Sequence, residues 1–228
     1  MAGELVAGEP VAGELVAGER EPGERASGEP LVKFVGDMRR LRAECDWKRA
    51  QTHRSLARYL LEETHETLEL LDAWSETPGA ANDAEHLCEE LGDLLLQVYF
   101  HAVIAEEAGE FTLEDVAADI VEKMRRRNPH VFGSADATGP DAVNDLWESV
   151  KATEKPRTSV TDGLPPGLPA LLYADKVLDR LGRAAGSPVV IDPADDLGDR
   201  LLALVAQARA AGTDPEQALR DAVRRLLG

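Results

Sequence analysis

The chain has 228 residues, with 25 Lys or Arg against 43 Asp or Glu, and a formal net charge of −18. This acidic excess argues against a general nucleic-acid or anionic-membrane binder, because both need a positive surface. Two cysteines, Cys45 and Cys88, are too few for a disulfide framework and are typical of a reducing compartment. The N-terminus shows no signal-peptide pattern, and the longest apolar run, 94–105, is interrupted by Gln97 and His101. We therefore expect a cytoplasmic protein with no membrane or nucleic-acid partner.

Residues 1–30 form an acidic tail of low complexity. From residue 2 the sequence runs AGELV AGEPV AGELV, with seven Glu, three Pro and no aromatic residue before Leu31. Regular Gly, scattered Pro and the lack of a bulky apolar stripe leave nothing to offset the entropy cost of ordering. The composition predicts a disordered tail without chemistry of its own.

From Leu31 onward the pattern predicts an all-α fold, since β-branched and aromatic residues are sparse and no segment alternates like a strand. Thr112, followed three residues later by Asp115, predicts a capping box at a helix start. Segment 160–169 is rich in Gly and Pro and is interpreted as a linker or extended arm. Helices are predicted over 31–44, 48–75, 83–108, 112–127, 141–154, 170–184, 195–211 and 214–227.

The predicted helix 83–108 is apolar almost all round but carries one polar stripe. At about 100° per residue, the members of this stripe project within a narrow sector, and they are Glu90, Asp93, Gln97 and His101. A helix of this kind belongs in a protein interior. Its polar stripe is therefore expected to face neighbouring protein or an enclosed cleft.

The predicted helix 48–75 places two further acids where its pattern calls for leucine. Glu63 and Glu66 lie inside its apolar face, whereas Glu62 lies on the flank. Unpaired carboxylates that converge between packed helices must be protonated, paired or metal-bound, and oxygen ligands suit hard cations such as Mg²⁺. Gly92 would let a backbone, a metal or a ligand approach closely. The alternative is that these are solvated acids paired with the abundant Arg.

These residues resemble those of a known family. Glu62 to Glu66 followed by Glu90 to Asp93 matches the E-E-x-x-E … E-x-x-D pattern of the MazG-type nucleoside triphosphate pyrophosphohydrolases. Cys45 to Leu56 resembles the family's C-P-W-D-x-x-Q-T-H-x-S-L run, although Asp46 and Lys48 depart from it. Two later stretches also resemble family motifs, namely Lys123 to Gly133 (K-x-x-R-R-x-P-H-V-F-G) and Trp147 to Lys151 (W-E-x-x-K).

The resemblance implies an all-α bundle, a homodimer, and Mg²⁺-dependent hydrolysis of nucleoside triphosphates to monophosphate and pyrophosphate, with Mn²⁺ as an alternative ion. It implies nucleotide-pool housecleaning as the role. Glu63, Glu66, Glu90 and Asp93 would be metal ligands, and Glu62 would support them or act as the base. The expected phosphate or nucleotide contacts are Lys123, Arg126, Arg127, His130, Trp147 and Lys151. A basic cap on a helix C-terminus is the alternative role for the cations.

The resemblance also divides the chain. Residues 31–158 would form the catalytic domain and 159–194 a linker with a connecting helix. Asp195 to Leu202 parallels Glu89 to Leu96, and some members of the family carry two tandem domains. Since no E-E-x-x-E partner precedes it, 195–228 is interpreted as a remnant of a second repeat that cannot bind metal. A chance match between acidic, Leu-rich helices is the alternative.

Two other functions remain open. One is a narrower hydrolase of the same superfamily, directed at dUTP or phosphoribosyl-ATP. The other is a non-catalytic, acidic helical interaction protein whose carboxylates bind metal only structurally or not at all.

Overall fold

The computed structural model describes residues 28–77, 80–154, 158–192 and 196–227, and its regular structure over these ranges is entirely helical. The all-α prediction is confirmed. Residues 1–27 of the predicted disordered tail lie outside the described residues. The chain divides into two compact units, Met1–Arg49 and Ala50–Gly228. No described helix is long and apolar enough to cross a membrane.

The first unit contains helix α1, Glu29–Glu44, and the short helix α2, Asp46–Arg49. Pro30 stands in the first turn of α1, where its missing N–H leaves no helical bond unmade. The Arg42 guanidinium donates hydrogen bonds to the carbonyl oxygens of Lys48 at 2.5 Å and Arg49 at 3.0 Å. These bonds hold α2 against the end of α1.

The second unit contains eight helices in its described ranges. They are α3 (His53–Ala73), α4 (Ala84–Glu107), α5 (Leu113–Arg127), α6 (Pro129–Phe132), α7 (Pro140–Glu154), α8 (Ala170–Ala185), α9 (Leu197–Ala210) and α10 (Pro215–Leu227). The predicted boundaries agree closely except at 48–75, and the short helix α6 was not predicted. Within 48–75 the backbone leaves α2 and starts again at α3, so the prediction of one continuous helix was wrong.

Side-chain caps explain where these helices begin. Before α5, the Asp115 carboxylate accepts from the Thr112 N–H at 2.9 Å and the Thr112 hydroxyl accepts from the Asp115 N–H at 3.2 Å, which confirms the predicted capping box. An equivalent box before α3 joins Thr52 and Ser55, with N···O distances of 2.9 and 3.1 Å. Each box satisfies N–H groups that a helix start leaves unpaired, and so stabilises the helix start at that residue.

The longest packing interface in the second unit lies between α3 and α4. The buried apolar side chains of these two helices come chiefly from the C-terminal half of α4, with Leu56 from the start of α3; on α4 they are Tyr99, Phe100, Ala102, Val103 and Ala105. Next along the chain, α5 contacts α4 and α7. This arrangement aligns the middle of α3 with the first half of α4, where the acidic residues lie.

The C-terminal helices pack onto the same unit. Helix α8 contacts α9 and α10, and α10 also contacts α3. The Asp72 side chain near the end of α3 is only 3% exposed, and it accepts from Arg220 Nε at 3.0 Å, Arg224 Nη2 at 2.5 Å and Gln217 Nε2 at 2.7 Å. Burial raises the pKa of Asp72, but these hydrogen bonds outweigh burial and leave the pKa below its ordinary value. Helix α10 is therefore joined to α3 through its polar face.

The segment interpreted as a linker is folded back onto α8. Arg180 on α8 donates to the carbonyl oxygens of Val160 and Asp162, each at 2.7 Å. The Asp162 carboxylate in turn accepts from the backbone N–H groups of Thr158 at 2.7 Å and Ser159 at 2.9 Å. Residues 158–162 form hydrogen-bonded turns rather than an extended arm.

Candidate functional site

Three carboxylates from two helices meet in the second unit. One oxygen from each of Glu63, Glu90 and Asp93 lies within 4.8 Å of the other two. Glu63 projects from α3 only about 20° from the buried Leu56, and Glu90 and Asp93 lie one turn apart on α4. The structure therefore brings together three of the four acids that the sequence predicts as metal ligands.

Glu90 is the most enclosed of the three carboxylates, at 8% exposure. Its Oε1 lies 3.1 Å from His86 Nε2, whereas its Oε2 is buried and has no hydrogen-bond partner in the part of the chain that the structure describes. A buried carboxylate oxygen without a partner is unfavourable, and two further acids beside it add repulsion. A cation bound here would give Glu90 Oε2 the partner that it lacks and would offset the repulsion between the acids.

Burial and the crowding of negative charge both raise the pKa of Glu63. Burial raises the pKa of the Glu63 carboxyl, and the charges of Asp93, Glu66 and Glu90 raise it further, in that order. Each of these causes penalises the ionised form. Glu63 in the metal-free protein therefore holds a proton more readily than an ordinary glutamate does.

Glu66 and Glu62 occupy the edge of this cluster. Glu66 is exposed and is not among the three acids whose oxygens meet, but, in addition to burial, its charge and a side-chain hydrogen bond with Glu63 raise the pKa of Glu63. Glu66 projects about 80° from Leu56, which turns it towards the rim of the α3–α4 interface. Glu62 is also exposed, and its Oε1 lies 3.7 Å from Arg58 Nη2. Their roles as ligand and base stay predictions.

The polar stripe of α4 is buried at Glu90 and Gln97, as predicted, but the helix is not buried all round. Gln97 is 4% exposed, whereas Leu91 and Val98 are 50% and 44% exposed. A Cβ placed on Gly92 would have no described atom within 4 Å, apart from the helix's own backbone and the adjoining residues. The expected close approach of neighbouring backbone at Gly92 is absent from the described chain.

Two of the predicted phosphate-binding arginines are held by an acid of their own chain. Arg126 Nε lies 2.9 Å from Glu154 Oε1, and Arg127 Nη2 lies 2.5 Å from Glu154 Oε2. Hydrogen bonds from Arg127 and then Arg126 lower the pKa of Glu154 to about 2. Arg127 also lies over the Trp147 ring, 5.3 Å from its centroid. These contacts join the end of α5 to α7.

The other predicted phosphate contacts differ in their surroundings. Lys151 Nζ lies 2.8 Å from Glu148 Oε1 on the same helix. Lys123 lines an open groove of about 680 Å³ together with Phe111 and Asp119, and no ion pair involves it among the described residues. His130 carries a buried Nδ1 without a hydrogen-bond partner in the described ranges.

Sequence reasoning missed two histidine contacts. His86 lies four residues before Glu90 on α4, a spacing that brings side chains together on a helix and could have identified it. His53 and His101 stack with centroids 5.0 Å apart and Nδ1 atoms 2.7 Å apart, which links the start of α3 to α4. Burial, and then the charge of His53, lowers the pKa of His101.

Known proteins resemble this chain over most of its length. The family model of the MazG nucleotide pyrophosphohydrolase domain matches residues 51–132, which include the three converging acids. A Thermotoga maritima protein named nucleoside triphosphate pyrophosphohydrolase/pyrophosphatase MazG is 36% identical over 222 residues, covering 86% of this chain and 82% of the relative. The nucleoside triphosphate pyrophosphohydrolase of Escherichia coli strain K12 is 35% identical over 207 residues, covering 78% and 76%.

A longer relative matches as well. The nucleoside triphosphate pyrophosphohydrolase of Mycobacterium tuberculosis is 41% identical over 197 residues, covering 86% of this chain but 55% of the relative. This chain therefore spans about half the length of the mycobacterial protein. Taken with the coverage of the shorter relatives, these matches show that the chain belongs to the MazG nucleotide pyrophosphohydrolase family.

Proposed function

We propose that this protein hydrolyses nucleoside triphosphates to a nucleoside monophosphate and pyrophosphate, using Mg²⁺ held by Glu63, Glu90 and Asp93. The observation that carries the proposal is the meeting of these carboxylates within 4.8 Å, with Glu90 Oε2 buried and unpartnered among the described residues. The relatives' names supply the reaction, since proteins 35% and 36% identical to this chain are named nucleoside triphosphate pyrophosphohydrolases.

The donor set suits the proposed ion. Carboxylate oxygens are the ligands that Mg²⁺ prefers, and the positions left over are commonly filled by water and substrate phosphate. When bound, the ion neutralises phosphate charge and lowers the pKa of a coordinated water. Mn²⁺, with similar oxygen preferences, is proposed as a functional substitute.

The chain's own residues would position the reactants. Glu66, exposed beside Glu63, is proposed to complete the ligand set, and Glu62 to take the proton of the attacking water. Lys123 and His130 are the predicted phosphate contacts that lack an acidic partner in the described structure. Arg126 and Arg127 would reach phosphate only if they gave up part of their contact with Glu154.

Trp147 and Lys151 are proposed to contact the nucleobase and the phosphates, respectively. Trp147 is proposed to stack on the nucleobase, and its ring already carries Arg127 at 5.3 Å. Lys151 would reach phosphate by leaving Glu148.

We also propose that the protein is a homodimer in the cytoplasm and that its role is removal of unwanted nucleotides from the pool. Support for the dimer comes from the exposed apolar side chains on the two helices that carry the acids, which are Leu60, Leu61, Leu71, Leu91 and Val98. Exposed apolar surface next to a functional site is typical of a protein interface. Light scattering on the purified protein tests the dimer, and a monomer at micromolar concentration would contradict it.

The proposed activity is tested by incubating the purified protein with a panel of ribo- and deoxyribonucleoside triphosphates and Mg²⁺, then measuring pyrophosphate. We expect pyrophosphate from several nucleotides, and none from Glu90→Gln or Asp93→Asn. Release from dUTP or phosphoribosyl-ATP alone would favour the narrower hydrolases. A folded protein that releases pyrophosphate from no nucleotide would favour the non-catalytic interaction protein and refute the proposal.

A further inference from the structure

Helix α4 begins with a chain of polar contacts that leads to Glu90. The Asp83 side chain caps the helix, with Oδ1 accepting from the His86 N–H at 3.0 Å. The second oxygen of Asp83 lies 3.9 Å from His86 Nδ1. On the other side of the ring, His86 Nε2 lies 3.1 Å from Glu90 Oε1. The imidazole thus lies between the capping acid and the most buried acid of the cluster.

Because of this contact, the two oxygens of Glu90 have different surroundings. With a proton on Nε2, His86 donates to Glu90 Oε1, while Asp83 Oδ2 lies 3.9 Å from Nδ1, beyond hydrogen-bond distance. The oxygen that remains, Oε2, is buried and has no partner within the described ranges. A carboxylate fixed through one oxygen presents the other in one direction. Groups that hold metal ligands in this way commonly change metal affinity 10- to 100-fold when removed.

We infer that His86 is a positioning residue, which holds the Glu90 carboxylate so that its free oxygen points to the shared metal position with Glu63 and Asp93. The inference rests on the proposed function, because it assumes that the acidic cluster binds a divalent ion. It assigns a role to a residue outside the acidic motifs. His86 acts through Glu90 and contacts neither substrate nor the reacting atoms.

The ordinary alternative is a surface pair that supports only the helix. His86 is 49% exposed at its side chain, and an exposed pair spaced i,i+4 stabilises a helix by about 0.2–0.5 kcal/mol. Such a pair would affect the melting temperature slightly and leave metal affinity unchanged. Metal affinity therefore separates a positioning role from a structural one.

The test compares His86→Leu, His86→Gln and the control His65→Leu in the full chain. His65 is an exposed histidine on α3, so the control makes the same change at a position outside the proposed machinery. Binding of Mg²⁺ and of Mn²⁺ is measured by calorimetry without nucleotide, after circular dichroism shows native helix content. The Mg²⁺ dependence of pyrophosphate release is measured separately.

We expect His86→Leu to weaken binding of both ions about 10- to 100-fold. We expect His86→Gln, which keeps an N–H donor, to recover most of that loss. His65→Leu should bind both ions like the wild type.

Wild-type affinity in a folded His86→Leu protein overturns the inference and leaves the proposed function standing. If the wild type binds neither ion, the inference and the proposed function fail together. If His86→Leu does not fold, His86→Ala takes its place, because alanine also removes the N–H donor and favours the helix. Wild-type affinity in folded His86→Ala then overturns the inference in the same way.

Discussion

Asp93→Asn tests the physical basis of the candidate site, because it removes one negative charge while nearly preserving side-chain shape. In the metal-free protein Asp93 lies within 4.8 Å of both Glu63 and Glu90. Two unit charges at that distance repel by about 0.9 kcal/mol in water and about 3.5 kcal/mol at an effective dielectric constant of 20. Because Asp93, which belongs to both pairs, is only half-buried and therefore screened by water, we take the lower limit for each pair. Their sum predicts a gain of about 2 kcal/mol in the free energy of unfolding.

The assay is thermal unfolding followed by circular dichroism at pH 8 with a chelator, so that the carboxylates are ionised and metal-free. A gain of about 2 kcal/mol should raise Tm by about 4–8 °C in a unit of this size. Glu89→Gln is the matched control, because it removes one charge from an exposed neighbour in the same chain of net charge −18. We expect its effect to stay within about 0.5 kcal/mol.

Adding Mg²⁺ should reverse the order of the two proteins. The wild type should gain stability by mass action, whereas Asp93→Asn, lacking one ligand, should gain less and release no pyrophosphate. A metal-free Asp93→Asn protein that melts below the wild type would refute charge crowding. A rise in Tm of equal size in Glu89→Gln would show that the effect comes from net charge rather than from crowding at the site.

Three further predictions concern the scaffold. Gly92→Ala should stabilise the metal-free protein by about 1 kcal/mol, because alanine favours a helix and open space surrounds this position in the described chain. The gain should appear as a rise in Tm. A fall in Tm would show that something outside the described residues needs the space. The Glu154 pKa of about 2 lies below its ordinary value of 4.5. The stability that ionised Glu154 gives the folded protein should therefore be complete above pH 4.5 and be lost as pH falls towards 2. Glu154→Gln should flatten the acid limb of a plot of Tm against pH, and an unchanged limb would contradict this. Asp72→Ala should cost about 2–3 kcal/mol in urea unfolding by removing charged hydrogen bonds between α3 and α10, and a loss below about 0.5 kcal/mol would contradict that role.

Sequence patterns predicted the helices well where the chain carries local signals. Thr112 and Asp115 form the predicted capping box, and Asp83 caps α4 where a helix start was expected. The break before α3 was missed because its box uses Ser55, whose short side chain is not the Glu or Gln that usually identifies the motif.

The acidic cluster could be predicted because helix geometry fixes which residues share a face. Glu90 and Asp93 had to project together, and Glu63 had to lie on the inward side of α3. The exposure of Glu66 at the edge of the cluster could not be predicted, since about 20° in helix phase separates the inward face from its rim. Which helices become neighbours, and where their edges lie, depends on packing that one sequence does not display.

The partners of the charged side chains were the least predictable part. Arg126 and Arg127 were expected to contact phosphate, yet the structure pairs both with Glu154, which lies 27 residues beyond Arg127 in sequence. Their contact with phosphate stays a prediction. His86 was missed although its spacing from Glu90 is local, because an isolated histidine on a polar helix start has no distinctive pattern.

Calorimetric titration of the nucleotide-free wild type with Mg²⁺, beside the double variant Glu90→Gln with Asp93→Asn, tests most directly whether the converging carboxylates form a metal site. We predict saturable binding by the wild type, accompanied by a rise in Tm, and no detectable binding by the double variant. Equal heats of binding in the two folded proteins would contradict the account, because the ion would then be held elsewhere.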